Sequence, residues 1–288
     1  MRWLASLVAL CLPVPALAEV PVQIAPTGHA TVPVTGSFGT AQFVFDTGAE
    51  ASAVYADFAD SAGLTVAGSE TLQGQTGSDE VPLVSLGSIG LDGVQKDGIK
   101  AVKLDPRADG VKLAGIVGLD LFGDRTVDFD LPHKRISLLA QGARPAGEDT
   151  QSVAASTTTG NLLTVPVTIG EVTATAVIDT GARKTRINWA LGRLLGLNPA
   201  KLAKGDVIQG ATNKAVETGA THISNVRLGS RVLAHAPVLV ADLPVFETFG
   251  VAGRPAMILG LDWLDRTRMV IDFPGRKVWF EAVEVPAT

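Results

Sequence analysis

The sequence predicts an all-β chain of two tandem β-rich lobes, on three observations: motifs that recur at a constant offset, short strand-like runs bounded by glycine, and little helical periodicity. Thr31-Val32-Pro33-Val34-Thr35 returns as Thr164-Val165-Pro166-Val167-Thr168, and Asp46-Thr47-Gly48-Ala49 as Asp179-Thr180-Gly181-Ala182, both 133 residues on. Further along, Leu72-Gln73-Gly74 is answered by Ile208-Gln209-Gly210, Ile116-Val117-Gly118-Leu119-Asp120 by Ile258-Leu259-Gly260-Leu261-Asp262, and Asp130-Leu131-Pro132 by Asp272-Phe273-Pro274. Between the copies, residues 141–160 are rich in Gly, Pro, Ser, Thr and Ala and carry no hydrophobic period, the composition of an exposed linker. The expected organisation is a leader over 1–18, an N-terminal lobe over 19–140, a linker over 141–160 and a C-terminal lobe over 161–288.

Each element has a local cause. Arg2, the apolar run from Leu4 and Ala16-Leu17-Ala18 form a secretory signal with cleavage before Glu19, so export to the periplasm or beyond is expected. Cys11, the single cysteine, falls inside it and would leave the exported chain without a thiol. Residues 41–45, 81–89, 99–104, 127–131, 136–139 and 175–178 are short, apolar and largely rich in β-branched side chains, and read as strands. One short helix per copy is expected, over 56–62 and 189–195, ended by Gly63 and Gly196 where the backbone needs a positive φ; Asn188 is the N-cap of the second. A further helical turn can follow Gly118 and Gly260.

Composition excludes several function classes. With 46% hydrophobic and 18% charged residues, the chain can build two ordinary cores and is not disordered. A net charge of −5 leaves no basic footprint for nucleic acid or for an anionic membrane surface. Beyond the leader no run is long and apolar enough to span a bilayer. His29, His133, His222 and His235 stand apart without metal-ligand spacing, and Gly87-Ser88-Ile89-Gly90 lacks the ending of a phosphate loop. Neither a metal nor a cofactor is expected.

The repeated Asp-Thr-Gly carries the chemistry. One copy is an ordinary turn sequence, but two in register place Asp46 and Asp179 at equivalent points of two related lobes. A pseudo-twofold packing would bring their carboxyl groups face to face, where both cannot ionise and one proton is shared. Such a pair can take a proton from water as it attacks a carbonyl and return one to a leaving nitrogen. Asp120 and Asp262 recur as well and read as helix caps; Asp130 and Asp272 read as strand-end turn residues.

A strand, Asp-Thr-Gly-Ala, a short helix, a glycine-containing hairpin and a later hydrophobic-hydrophobic-Gly triplet resemble the retropepsin-like aspartic proteases over nearly the whole of each copy. The resemblance implies an intramolecular pseudo-dimer of two β-barrel lobes, with Asp46 and Asp179 as the catalytic pair, Thr47 and Thr180 as the threonines that lock it across the lobes, and Gly48 and Gly181 as the tight turns. Ala49 and Ala182 complete the loops, and Gly118 and Gly260 end the supporting triplets. It implies hairpins closing over an extended peptide at about 72–81 and 208–217, with Gln73, Gly74, Gln209 and Gly210 near their tips; both segments also read as plain surface hairpins. The implied activity is an aspartic endopeptidase acting on a peptide or unfolded protein segment, without cofactor and as a monomer. A catalytically inactive peptide- or envelope-ligand-binding module of the same fold, and lobes paired between two chains, are the alternatives.

Ala49 and Ala182 stand where pepsin-like chains carry hydroxyls that hold the carboxylates ionised, so the pair should titrate higher and work in mildly acid solution. Glu50 and Arg183 follow them with opposite signs. Arg183, Lys184 and Arg186 make one side of the presumed cleft basic, while Glu50 and Asp57 keep the other acidic. These charges either set asymmetric subsites or point to solvent and pair across the lobes, and Arg183 could also turn onto the aspartates.

Overall fold

Alternation fixes the first long strand: in Ala30–Gly36, Val32 and Val34 are fully buried while Thr35 faces outward, and Gly39–Phe45 folds back against it from Thr31–Val44 to Gly36–Gly39. The computed structural model describes residues 19–144, 150–210 and 214–283; the expected leader and Cys11 lie outside them. From Ala30–Gly36 the sheet runs through Gly39–Phe45, Gly115–Val117, Ala53–Tyr55, Val94–Leu104 and Gly77–Leu91, and a pairing of Thr35 with Gly90 closes it. The second copy repeats that order through Leu163–Ile169, Val172–Ile178, Ala256–Leu259, Arg186–Ile187, Arg231–Val240 and Gly219–Leu228, closed by Thr168–Arg227 and Ile169–Val226. The result is two closed six-stranded barrels in tandem: the repeat predicted the two lobes, and the resemblance their barrel form.

A separate six-stranded sheet ties the lobes together. At its centre Thr126–Asp130 of the first lobe pairs antiparallel with Thr267–Asp272 of the second, putting Val127 opposite Ile271 and Phe129 opposite Met269. Arg135–Leu139 and Val20–Pro21 extend it on one side, Lys277–Ala282 and Val153–Ala154 on the other. Arg268 bridges the lobes with bonds of 2.9 and 2.6 Å to Asp128, and also reaches Glu281. Above this sheet Phe45, Phe122 and Phe129 stack with centroids 4.3 and 5.9 Å apart, and Phe273 of the second lobe lies 5.7 Å from Phe122. Truncating Phe129 to Ala would empty this junction at a cost of about 3–5 kcal/mol.

The helices follow their caps. Ala56–Ser61 stops before Gly63 at φ 63°, and Trp189–Leu194 starts where the Asn188 side-chain Oδ1 accepts from Leu191 N at 3.0 Å and stops before Gly196 at φ 70°. Turns Leu119–Phe122 and Leu261–Trp263 follow the two triplet glycines. The helix Val245–Thr248 and, within the expected linker, the two-residue strands Val153–Ala154 and Ser156–Thr157 carry no sequence signal because each spans about one period of its pattern and so cannot repeat it. Among the described residues no helix is long and apolar enough to cross a membrane.

Candidate active site

Both Asp-Thr-Gly loops leave the C-terminal end of a strand, Gly39–Phe45 or Val172–Ile178, and are anchored alike. Asp46 N donates to Val117 O and Asp179 N to Leu259 O, each at 3.1 Å. Leu119 N and Leu261 N then donate to Ala49 O and Ala182 O at 2.9 and 2.8 Å, so the loops are held from beneath by the turns after Gly118 and Gly260. Asp120 and Asp262 do not cap those turns as expected. Half-buried, Asp120 accepts from Ser52 N and Oγ at 2.9 and 2.8 Å, and Asp262 from Thr185 N and Oγ1 at 2.8 and 2.7 Å, pinning each turn to the end of its Asp-Thr-Gly loop. Asp130 and Asp272 do end their strands in turns, accepting from His133 N and Gly275 N.

The two loops meet at the lobe boundary. Thr47 N donates to Thr180 Oγ1 at 3.0 Å and Thr180 N to Thr47 Oγ1 at 3.1 Å, while the hydroxyls donate onward to Ile178 O and Phe45 O at 2.9 and 2.6 Å. Both threonines are buried, so these four bonds are unscreened by solvent. They set the separation of the residues just before them. A Cβ added at Gly48 would lie 2.5 Å from Asp179 Cγ, and one at Gly181 would overlap the Asp46 carboxyl, so only glycine permits this approach.

Asp46 and Asp179 are close enough to hydrogen-bond through their carboxyl groups. Asp46 Oδ1 accepts from Gly48 N at 2.7 Å and from Gly181 N, across the boundary, at 3.2 Å; Asp179 Oδ1 accepts from Ala182 N at 2.8 Å. Burial and the neighbouring Asp179 charge raise Asp46 well above the ordinary carboxylate range. Burial raises Asp179 too, opposed by the positive charge of Arg186. A pair in these surroundings holds a proton that isolated surface carboxyls would release.

The first hairpin reaches the pair. Val66–Gly74 and Gly77–Leu91 make it longer than the 72–81 segment, with Gln73 opposite Ser78 and Gly74 opposite Gly77. At the tip Gln75 Nε2 donates to Asp179 Oδ2 at 2.8 Å. Gln73 and Gly74 therefore lead into the tip, as the glycine-bearing run 73–77 suggests, and Gln75 within that run makes the contact, a role that repetition does not mark. The second hairpin is shorter, with Ile208–Gln209 paired to Ala215–Val216. Gly210 abuts Thr76, and Lys214 Nζ donates to Ser78 O at 3.3 Å, so the two tips touch above the carboxyls.

The charges after the loops are dispersed. Arg183 turns away from the aspartates to donate from Nη1 to Thr27 O at 3.0 Å, Lys184 pairs with Asp206 at 2.7 Å, Asp57 pairs with Lys112, and Glu50 packs on Gly160. The histidines are less isolated than their spacing suggested: His133 Nδ1 meets Asp130 at 2.9 Å, and His222 and His235 stack at 4.2 Å across neighbouring strands. Sequence spacing misses both because one is a turn contact and the other a cross-strand pair.

A family model described as Aspartyl protease matches residues 30–121 and 165–263, one match per lobe and together more than half of the chain. No curated protein matches the chain.

Proposed function

The chain belongs to the aspartyl protease family, and from that membership we propose that it is an endopeptidase in which Asp46 and Asp179 activate water for attack on a peptide bond. The observation that carries this reading is the pair itself: two carboxyl groups from two lobes, held together by a buried threonine lock and both raised in proton affinity. With one proton shared, the ionised carboxylate takes a proton from water as its oxygen attacks the carbonyl carbon, and the protonated partner gives its proton to the carbonyl oxygen. When the C–N bond breaks, the first group protonates the leaving nitrogen and the second recovers a proton from the diol. The pair returns to its starting state without a covalent intermediate.

The substrate in this reading is an extended peptide or unfolded protein segment, bound as an added strand beneath the hairpins. Its scissile amide takes the place on Asp179 that the Gln75 side-chain amide holds in the closed arrangement. One chain supplies both carboxyls, so a monomer suffices.

The test is cleavage of a diverse peptide library from about pH 3 to about pH 8 by wild type, Asp46→Asn and Asp179→Asn, each checked for native circular dichroism. Loss of cleavage by at least about 100-fold in either variant is expected, the scale of a general acid or base. A folded wild type that cuts nothing across that range sinks the proposal and leaves a binding module of the same fold.

A further inference from the structure

The repeat makes each position of one lobe a control for its counterpart in the other, and one pair of counterparts differs sharply: Ala53 corresponds to Arg186. Ala53 sits opposite Val102 and Ile116 in its sheet, in an apolar cluster that includes Leu72 and Val81 of the first hairpin. Arg186 sits opposite Leu239 and Ile258, whose cluster includes Ile208 and Val216 of the second hairpin. Register partners share a sheet face, so Arg186 lies on the hairpin-covered face, whereas Ile187, partnered by Val240 and Met257, faces the barrel core.

The guanidinium has no partner there. Arg186 Nε and Nη1 are inaccessible to solvent and make no hydrogen bond among the described residues. The acidic groups whose charges reach it are engaged elsewhere: Asp206 with Lys184, Asp262 with Thr185, and Asp179 in the aspartate pair. Among the described residues Arg183, the other nearby cation, bonds to the Thr27 carbonyl. A half-buried guanidinium with two inaccessible, unpaired donors costs stability, and the other lobe avoids that cost with an alanine.

We infer that Arg186 is a specificity residue, holding a carboxylate of the bound peptide under the second hairpin on one side of the scissile bond, while the Ala53 side takes an apolar residue. This rests on the proposed peptide-cleaving function for its setting. The carboxylate can be an Asp or Glu side chain or a peptide C-terminus, and the unpaired guanidinium offers it a charge-assisted contact.

The test uses dye-labelled octapeptides with Glu or Gln scanned through every position, each made with a free and an amidated C-terminus, against wild type, Arg186→Met and Arg186→Lys. Binding by fluorescence anisotropy and cleavage are both measured. At one position, wild type should prefer Glu over Gln by about tenfold or more in Kd; Arg186→Met should bring that ratio close to one, and Arg186→Lys should keep part of it. A preference that follows the free terminus instead assigns the carboxylate to the peptide end. Equal binding of Glu and Gln, and of free and amidated peptides, by wild type overturns the inference, as does a ratio that survives in Arg186→Met. A shift of the pH–rate profile in Arg186→Met with no change in the ratio also overturns it, because Arg186 would then act only on the aspartates. Cleavage without acid preference removes this inference and keeps the protease; an Arg186-dependent preference in binding without cleavage does the reverse.

Discussion

Thr47 and Thr180 each donate a backbone N–H to the other's hydroxyl, at 3.0 and 3.1 Å, across a lobe boundary formed by residues 133 positions apart. Thr180→Ala would orphan Thr47 N and Phe45 O inside the protein, since both bond to the lost hydroxyl. A loss of about 2 to 4 kcal/mol in urea unfolding is expected, with Thr180→Ser recovering most of it. A change below about 0.5 kcal/mol would mean that the lock does not hold the lobes.

The aspartate pair links stability to pH in an unusual direction. Asp46 and Asp179 are both raised in the folded chain, so between the unfolded carboxylate value and the folded values the native state binds more protons than the unfolded one. Their contribution is greatest on the acid side and is lost as pH rises through that window. The urea midpoint of wild type should therefore fall more than that of Asp46→Asn between about pH 4 and about pH 7. For the same reason kcat/KM should peak in mildly acid solution; a peak near pH 2 would contradict the raised values.

Gln75 donates to Asp179 Oδ2 and so favours the ionised carboxylate in the free protein. In Gln75→Leu the acid limb of kcat/KM, which reports the free enzyme, should move to higher pH. The acid limb of kcat should stay, because bound peptide has already displaced the amide. If both limbs move together, Gln75 remains on the aspartate during turnover.

Gly48 tolerates no side chain, since its Cβ would sit 2.5 Å from Asp179 Cγ. Gly48→Ala must push the two carboxyls apart, and cleavage should fall at least about 100-fold while the barrels still fold. Near-normal cleavage would show that the carboxyl separation is not tightly constrained.

Much of this protein is legible along the chain. The positive-φ stops at Gly63 and Gly196 and the Asn188 cap each depend on neighbours a few residues away, and each stands where local rules put it. Gln75 was legible as part of the 73–77 tip but its contact was not: which tip residue reaches Asp179 is selected by the length and bend of the hairpin. Asp120 and Asp262 were placed at helix starts correctly, yet their partners Ser52 and Thr185 lie in loops, just before strands, that only folding brings near.

By itself, then, the sequence determined two β lobes, their register and the two Asp-Thr-Gly loops, because strand period, turn chemistry and repetition are properties of contiguous residues. Tertiary structure decided what those loops face: the sheet pairing Phe129 with Met269, the turn of Arg183 toward Thr27, and the unpartnered seat of Arg186 on the hairpin-covered face. Those outcomes depend on which buried charge finds a donor or acceptor once distant segments are packed, and no local pattern encodes that competition.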